Sequence, residues 1–392
     1  MTAPLAPFGR ETRYVSRLYL QRVFVVAAAT MAIVLALDLA SNMTWLLSDR
    51  AAASGRDGFA RLAYYLGLRA AYNTPAILPI AAVVGVVWAE FALAASYERL
   101  MIFNSGRSPL RSLVPAILVG LLLGSAQFAA LSYAQPFAVA AQARSNFRDY
   151  GPSFHPDSVT GRKWIAIEDA LVNARIEFGH PVTLRDMIVY GLDRDGQLEI
   201  VVSAERAVPA AEPGMWALSS GSWWGRPASP AQGGAGAGGG AEAAFENAEI
   251  KLPLDPLWVA NYEVPARFLP QKVIRALGSG GPGIPEAFSY RTTYQTRLAS
   301  LLYPLAMTLL GATLCLLMLG PRVRPMVSVK IGLAGYGVHV ASKVLTTLGE
   351  YGYVTPVVAA WALPVAVAGG ALLVLARRER KVRRSLAHQA AG

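Results

Sequence analysis

Six long apolar runs set the first constraint on this chain. They cover about Val23–Leu47, Thr74–Ala95, Leu113–Tyr133, Leu298–Leu319, Ile331–Leu348 and Val357–Ala376. Each falls in the range of roughly 17–25 residues that carries a helix across a bilayer. The whole chain agrees with this reading, because 54% of its 392 residues are hydrophobic and only 16% are charged. Its mean hydropathy is +0.37. The first run is too long for a signal-peptide core, and no small-residue cleavage site follows it closely, so it reads as a retained span. The expected class is an α-helical polytopic membrane protein.

The net charge of +11 is informative through its placement. Arg10, Arg13, Arg17 and Arg22 precede span 1, and Arg99, Arg107 and Arg111 lie between spans 2 and 3. Arg322, Arg324 and Lys330 lie between spans 4 and 5, and a run from Arg377 to Arg384 follows span 6. If the six spans alternate, every cluster falls on one side. Positive charge marks the cytoplasmic side, so both termini are expected there. A nucleic-acid partner is a poor reading, since the basic residues flank spans and form no single stripe.

The plan is three spans, a large region, then three spans. Residues 1–134 are expected to hold spans 1–3 and residues 298–380 spans 4–6, with a basic cytoplasmic tail over 381–392. Residues 135–297 are too many for a structureless loop, and their pattern is β. "KWIAIED" at 163–169 alternates, and "MIVYGLDRDGQLEIVV" at 187–202 reads as two strands around Asp195-Gly196. "MWALSSGSWW" at 215–224 and "AEIKLPL" at 248–254 are further strands. The spacing predicts an inserted extracytoplasmic all-β domain, a sandwich or jelly roll.

Catalysis finds no support in the residues. Cys315 is the single cysteine and lies inside an apolar run, and the four histidines are scattered without metal-ligand spacing. "GGAGAGGGA" at 233–241 lacks the Gly-Lys-Ser/Thr ending of a phosphate loop and reads as a flexible tip. The expectation is a non-catalytic chain without cofactor or metal.

The charged segment "YERLMIFNSGRSPLRS" at 97–112 stands between spans 2 and 3. Over 95–104 it predicts a helix with Tyr97, Leu100, Met101 and Asn104 on one face. Gly106 fits a left-handed cap, and Ser108 with Pro109 fits the start of span 3. Such a helix rests on the lipid interface or docks on a partner. Within the spans, the ionisable residues are Asp38, Glu90, His339 and Lys343. Intramembrane charges usually face a cavity or a partner. Glu90 is placed to pair with an interfacial arginine. His339 and Lys343 share a face of span 5, and the Lys343 ammonium either snorkels outward or holds a ligand.

These stretches together resemble the LptF/LptG permease family, the transmembrane subunits of the exporter that extracts lipopolysaccharide from the inner membrane. "LPIAAVVGVVWAEFALAASYERLMIFNSGRS" at 78–108 looks like the family's second span and coupling helix, with Pro79, Glu98, Ser105 and Gly106 in the pattern. "YPLAMTLLGATLCLLMLGPR" at 303–322 resembles its fourth span, and "GYVTPVVAAWALP" at 352–364 resembles the LptG-type approach to span 6. The resemblance implies an LptB-like ATPase dimer that hydrolyses ATP, a sister LptF-like permease and an LptC-like anchor. It implies that Glu98 pairs with a basic ATPase residue, and that Leu100, Met101 and Phe103 fill the ATPase groove beside Ser105 and Gly106. It further implies a lipid-phosphate site, for which Lys343, His339, Asp38, Arg69 and Arg297 are the candidates. One departure stands out. LptG-type first spans commonly carry lysines near the outer end, whereas "LDLASNMTWLLSDR" has no basic residue before Arg50. Either the phosphate contacts have moved or the lipid differs. The rival readings are a MacB-like mechanotransmitting permease, which would have four spans, and a membrane-anchored periplasmic receptor, which would need no coupling helix.

Overall fold

The computed structural model describes residues 9–46, 58–145, 159–167, 170–193, 195–212, 214–225, 242–252, 254–280, 284, 287–318 and 325–391. Arg50, Arg322, Arg324 and the 233–241 glycine tract lie outside them. The chain divides into two compact units, residues 1–142 with 288–392, and residues 143–287.

The first unit is helical. Helix α1 spans Arg10–Leu46, α2 Gly58–Ala95 and the short α3 Glu98–Asn104. Helix α4, Val114–Ala129, runs through a π turn at Ala130–Ala134 into α5, Gln135–Arg144. By length and composition four helices can cross a membrane: 10–44, 58–95, 111–144 and 356–381. A fifth forms if the segments Ala287–Ala299 and Tyr303–Met318, bent by 51° at their junction, count as one broken span. The expected fifth span, 331–348, lies in a continuous helix, Pro325–Glu350. His339, Lys343 and the hydroxyls of Ser342, Thr346 and Thr347 dilute its hydropathy below that of the others.

Small residues let these helices approach. A side chain at Gly85 of α2 would overlap the Val23 backbone of α1. Gly120 and Gly124 of α4 stand four apart, where added Cβ atoms would collide with Leu305 and with the Leu301 carbonyl at the bend. Packing in lipid gains no hydrophobic drive between helices, so this spacing of small residues and close backbone contact supplies the attraction. Thr308 adds a hydrogen bond from its hydroxyl to the Ala116 carbonyl, 2.9 Å. Pro75 and Pro79 interrupt α2. Proline 79 has no N–H to give the Pro75 carbonyl, and Gln127 of α4 donates to that oxygen instead at 2.8 Å.

The second unit carries strands β1 Lys163–Ile167, β2 Ala170–Glu177, β3 Thr183–Leu192, β4 Leu198–Pro209, β5 Met215–Gly225 and β6 Ala243–Lys251. They form one antiparallel sheet in the order β1-β2-β3-β4-β5-β6, and two short helices follow it, α6 Pro256–Val259 and α7 Gln271–Ser279. Every neighbour is consecutive in sequence, so the described strands make a meander, without the crossovers that a jelly roll needs. The β3–β4 hairpin turns at Gly196, whose φ of +76° suits glycine, as the Asp-Gly signal predicts. Strand β2 is not among the strands read from the sequence: Val172 to Glu177 do alternate apolar and polar, but the Ala and Leu of "ALVNARIE" favour helix. It is pinned to β3 by Glu177, which accepts two 2.7 Å bonds from Arg185. That partner holds the half-buried Glu177 carboxyl below its ordinary pKa.

Candidate functional site

Between α2 and α3 the chain breaks at Tyr97, which takes the left-handed conformation with φ of +60°. The helix that follows is therefore two turns long, shorter than the span 95–104 expected. It ends at Ser105, and Gly106 adopts the left-handed φ of +86° that was read from the sequence. Ser108 accepts from the Arg111 N–H at 3.3 Å, as a cap would, but the turn it opens is the 3-10 turn Arg111–Leu113 before α4.

The two faces of α3 differ sharply. Tyr97, Leu100 and Met101 are 56%, 52% and 63% exposed, and Asn104 is exposed beside them. This is the face the i, i+3, i+4 spacing selects. Phe103 is half-buried and belongs to the other side, with Ile102, which packs against the helical core. Glu98 is half-buried, and its carboxylate already accepts from Tyr14 Oη at 2.8 Å and Ser96 Oγ at 3.1 Å. Ser105 is exposed, its hydroxyl donating to the Ile102 carbonyl at 2.8 Å.

Opposite the exposed stripe, Arg99 turns inward. Its Nε donates to Glu90 Oε2 at 2.9 Å, and its Nη2 donates to Glu90 Oε1. Tyr19 of α1 donates its hydroxyl to the same carboxylate. All three side chains are buried. Burial disfavours the Arg99 charge, but Glu90 and Tyr19 more than offset this and hold its pKa above the ordinary value. Glu90 thus pairs with an arginine from beyond the span end. Tyr19 was missed in the sequence, although Thr12, Val15, Tyr19 and Val23 keep the spacing of one helix face and are all buried.

The lipid candidates fall into separate settings. Asp38 of α1 and Arg69 of α2 form an ion pair; Arg69 Nε donates to Asp38 Oδ2 at 2.9 Å, and Tyr65 Oη donates to the same oxygen at 2.5 Å. Arg69 also lies over the Tyr72 ring, 5.3 Å from its centroid. The two charges offset each other and fasten the helices. Arg297 is 2% exposed, enclosed in the helix Ala287–Ala299 (α8) just before the bend. Helix α9, Tyr303–Met318, carries Tyr303, whose hydroxyl lies 3.1 Å from His339 Nδ1. His339 and Lys343 both lie on α10, Pro325–Glu350, where His339 is half-buried and Lys343 exposed. Tyr336, Val340 and Val344 are exposed along the same helix.

An exposed apolar helix turn between two apolar spans, ionisable residues inside the spans and an inserted antiparallel sheet are the features to be matched. No curated protein matches the chain at a significant level. The family model described as lipopolysaccharide export system permease LptF/LptG matches residues 13–377, which run from the first turn of α1 into the helix Pro356–Ala391 (α11), with the β unit between. The chain therefore belongs to the LptF/LptG family of lipopolysaccharide export permeases.

Proposed function

We propose that the chain is the LptG-type subunit of an ATP-driven lipopolysaccharide exporter, with six spans in a three-plus-three plan. The bent pair α8–α9 and the polar helix α10 serve as spans 4 and 5. Both termini and α3 face the cytoplasm, and the β unit faces the periplasm, where its antiparallel sheet receives the acyl chains. The chain itself is not catalytic. An LptB-like ATPase dimer hydrolyses ATP, a sister LptF-like permease completes the cavity and an LptC-like anchor joins them. ATP binding closes the ATPase dimer, α3 moves with it, and the spans expel the lipid outward.

The observation that carries this reading is the two-sided α3. Its outer face displays Tyr97, Leu100, Met101 and Asn104, while Arg99 and Ile102 fix its inner face to the bundle. That is how a short helix transmits force between a partner and a membrane domain. Glu98 sits at the edge of the face, where a basic ATPase residue can share its carboxylate with Tyr14. Among the lipid candidates, Lys343 is favoured by its exposure and by its place one turn from His339. Asp38 and Arg69 act as a fastening between α1 and α2, and Arg297 supports the bend.

The test is co-purification of the chain with an LptB-like ATPase. Burying one leucine side chain contributes about 1.5–3 kcal/mol. Leu100→Asp should therefore weaken association roughly tenfold or more while the protein still inserts. Full association by that variant would mean that α3 rests on lipid and does not dock.

A further inference from the structure

The exposed face of α3 accounts for contact with a partner, but the buried face raises a different matter: which helix receives the push. Arg99 is the one arginine in α3, and it is 8% exposed. Its fork grips Glu90 near the end of α2, and the same carboxylate accepts the Tyr19 hydroxyl from α1. Arg99 Nη2 also lies 3.4 Å from Tyr19 Oη, so one guanidinium joins three elements.

Further bonds tie the start of α1 to the same segment. Tyr14 donates to Glu98 at 2.8 Å. Arg107 donates to Glu11 Oε2 and to Thr12 Oγ1, each at 2.9 Å. Ser105 Oγ lies 3.4 Å from Glu11 Oε1. Every one of these contacts falls within residues 11–19 of α1. Beyond Val23 the helix changes character. Phe24, Val25, Ile33, Leu37 and Met43 are exposed, and the Asp38–Arg69 pair fastens it again at the far end.

We infer that Arg99 is a positioning residue that welds the first turns of α1, the end of α2 and α3 into one rigid block, so that a push on α3 tilts α1 and does not slide past it. This rests on the reading of α3 as the ATPase contact. The physical reason is the directionality of the joint. A bidentate guanidinium–carboxylate pair fixes angle as well as distance. Buried, it has no water to exchange partners with. The loosely packed length of α1 after Val23 then serves as the arm of a lever.

The experiment uses the reconstituted exporter, with lipopolysaccharide release and ATP hydrolysis measured together. In the first arm, Glu11→Cys with Arg107→Cys is bridged by a short bis-maleimide; Cys315 is fully buried and out of reach. A block that moves as one should export as much lipid per ATP bridged as unbridged. Loss of export on bridging, with hydrolysis continuing, would show that α1 and α3 must move apart and would overturn the inference. In the second arm, Glu90→Leu with Arg99→Met removes both charges and strands neither, a replacement that buried ion pairs often tolerate. Export per ATP should fall roughly fivefold or more, the lower range of coupling between sites. An unchanged ratio would reduce the triad to ordinary packing. Arg99→Lys keeps the charge but not the fork, and stands in if the double variant does not assemble; its ratio should fall by an intermediate amount. Hydrogen exchange needs no ATPase and so separates this inference from the function on which it rests. In Arg99→Lys the amides of residues 11–19 and of α3 should lose protection together. Loss confined to α3 overturns the block even if docking is confirmed.

Discussion

Glu90 shows how one side chain changes meaning with its neighbours. In the sequence it is a carboxylate stranded in an apolar run. In the fold it is bonded by Arg99 and Tyr19 and is 1% exposed. Breaking a buried pair from one side leaves a charge without its partner, which costs about 3–5 kcal/mol. Glu90→Gln should therefore lower the unfolding temperature in detergent markedly, and a Tm within error of wild type would refute the buried charge pair. Lys343 poses the opposite case, an exposed charge on a half-apolar helix face. If it holds a lipid phosphate, Lys343→Met should lose bound lipopolysaccharide per purified complex, and Lys343→Arg should keep much of it. Mass spectrometry of the bound lipid decides this, and equal occupancy in wild type and Lys343→Met would leave only a snorkelling ammonium. The residue roles most legible in the sequence were those set by local spacing, as at Leu100, Met101 and Gly106. The Asp38–Arg69 and Glu90–Tyr19 contacts join residues 31 and 71 positions apart. No local pattern announces such pairs, so the sequence offers Asp38 and Arg69 as separate candidates where the fold joins them in an ion pair.

At the scale of elements, apolar length gave α1, α2, α4 and α11 with little ambiguity, and the Asp-Gly signal placed the β3–β4 hairpin. Three elements were harder. Strand β2 alternates over residues 172–177, but Ala170, Leu171 and Ala174 lean towards helix and mask that signal. Helix α3 came out shorter, because no propensity rule puts tyrosine in the left-handed region that ends α2 at Tyr97. The bend between α8 and α9 falls at Ser300, Leu301 and Leu302, just ahead of Pro304, which has no N–H to give the Ser300 carbonyl. It is matched from outside by Gly124, which leaves room for the Leu301 carbonyl. A Gly124→Val substitution would force α4 away from the bend. Overpacking of this kind costs typically about 1–3 kcal/mol, and the variant should lose thermal stability while an equal change at Gly369, with open space around it, should lose much less. Comparable losses at both sites would mean that the bend does not depend on this contact.

At the scale of the whole molecule, the helical unit is assembled from both ends of the chain, and the β unit is an insertion between them. The sequence announced this plan through the two groups of apolar runs, but the meander order of the sheet was beyond it, because strand spacing limits topology without choosing it. The proposed orientation follows from charge placement alone and is open to a direct check. Single cysteines in the 233–240 tract should react with an impermeant thiol reagent added outside the cell, and cysteines beside Arg107 should not. The reverse pattern would invert the molecule and remove α3 from any cytoplasmic partner.

The bond from Gln127 to the Pro75 carbonyl bears on how the chain is made. A ribosome delivers α2 before α4, and a carbonyl without a donor inside lipid costs several kcal/mol. With Pro79 supplying no N–H, α2 is an incomplete membrane helix until the glutamine from α4 reaches it at 2.8 Å. The stable unit of insertion is then the pair of helices and not the single one.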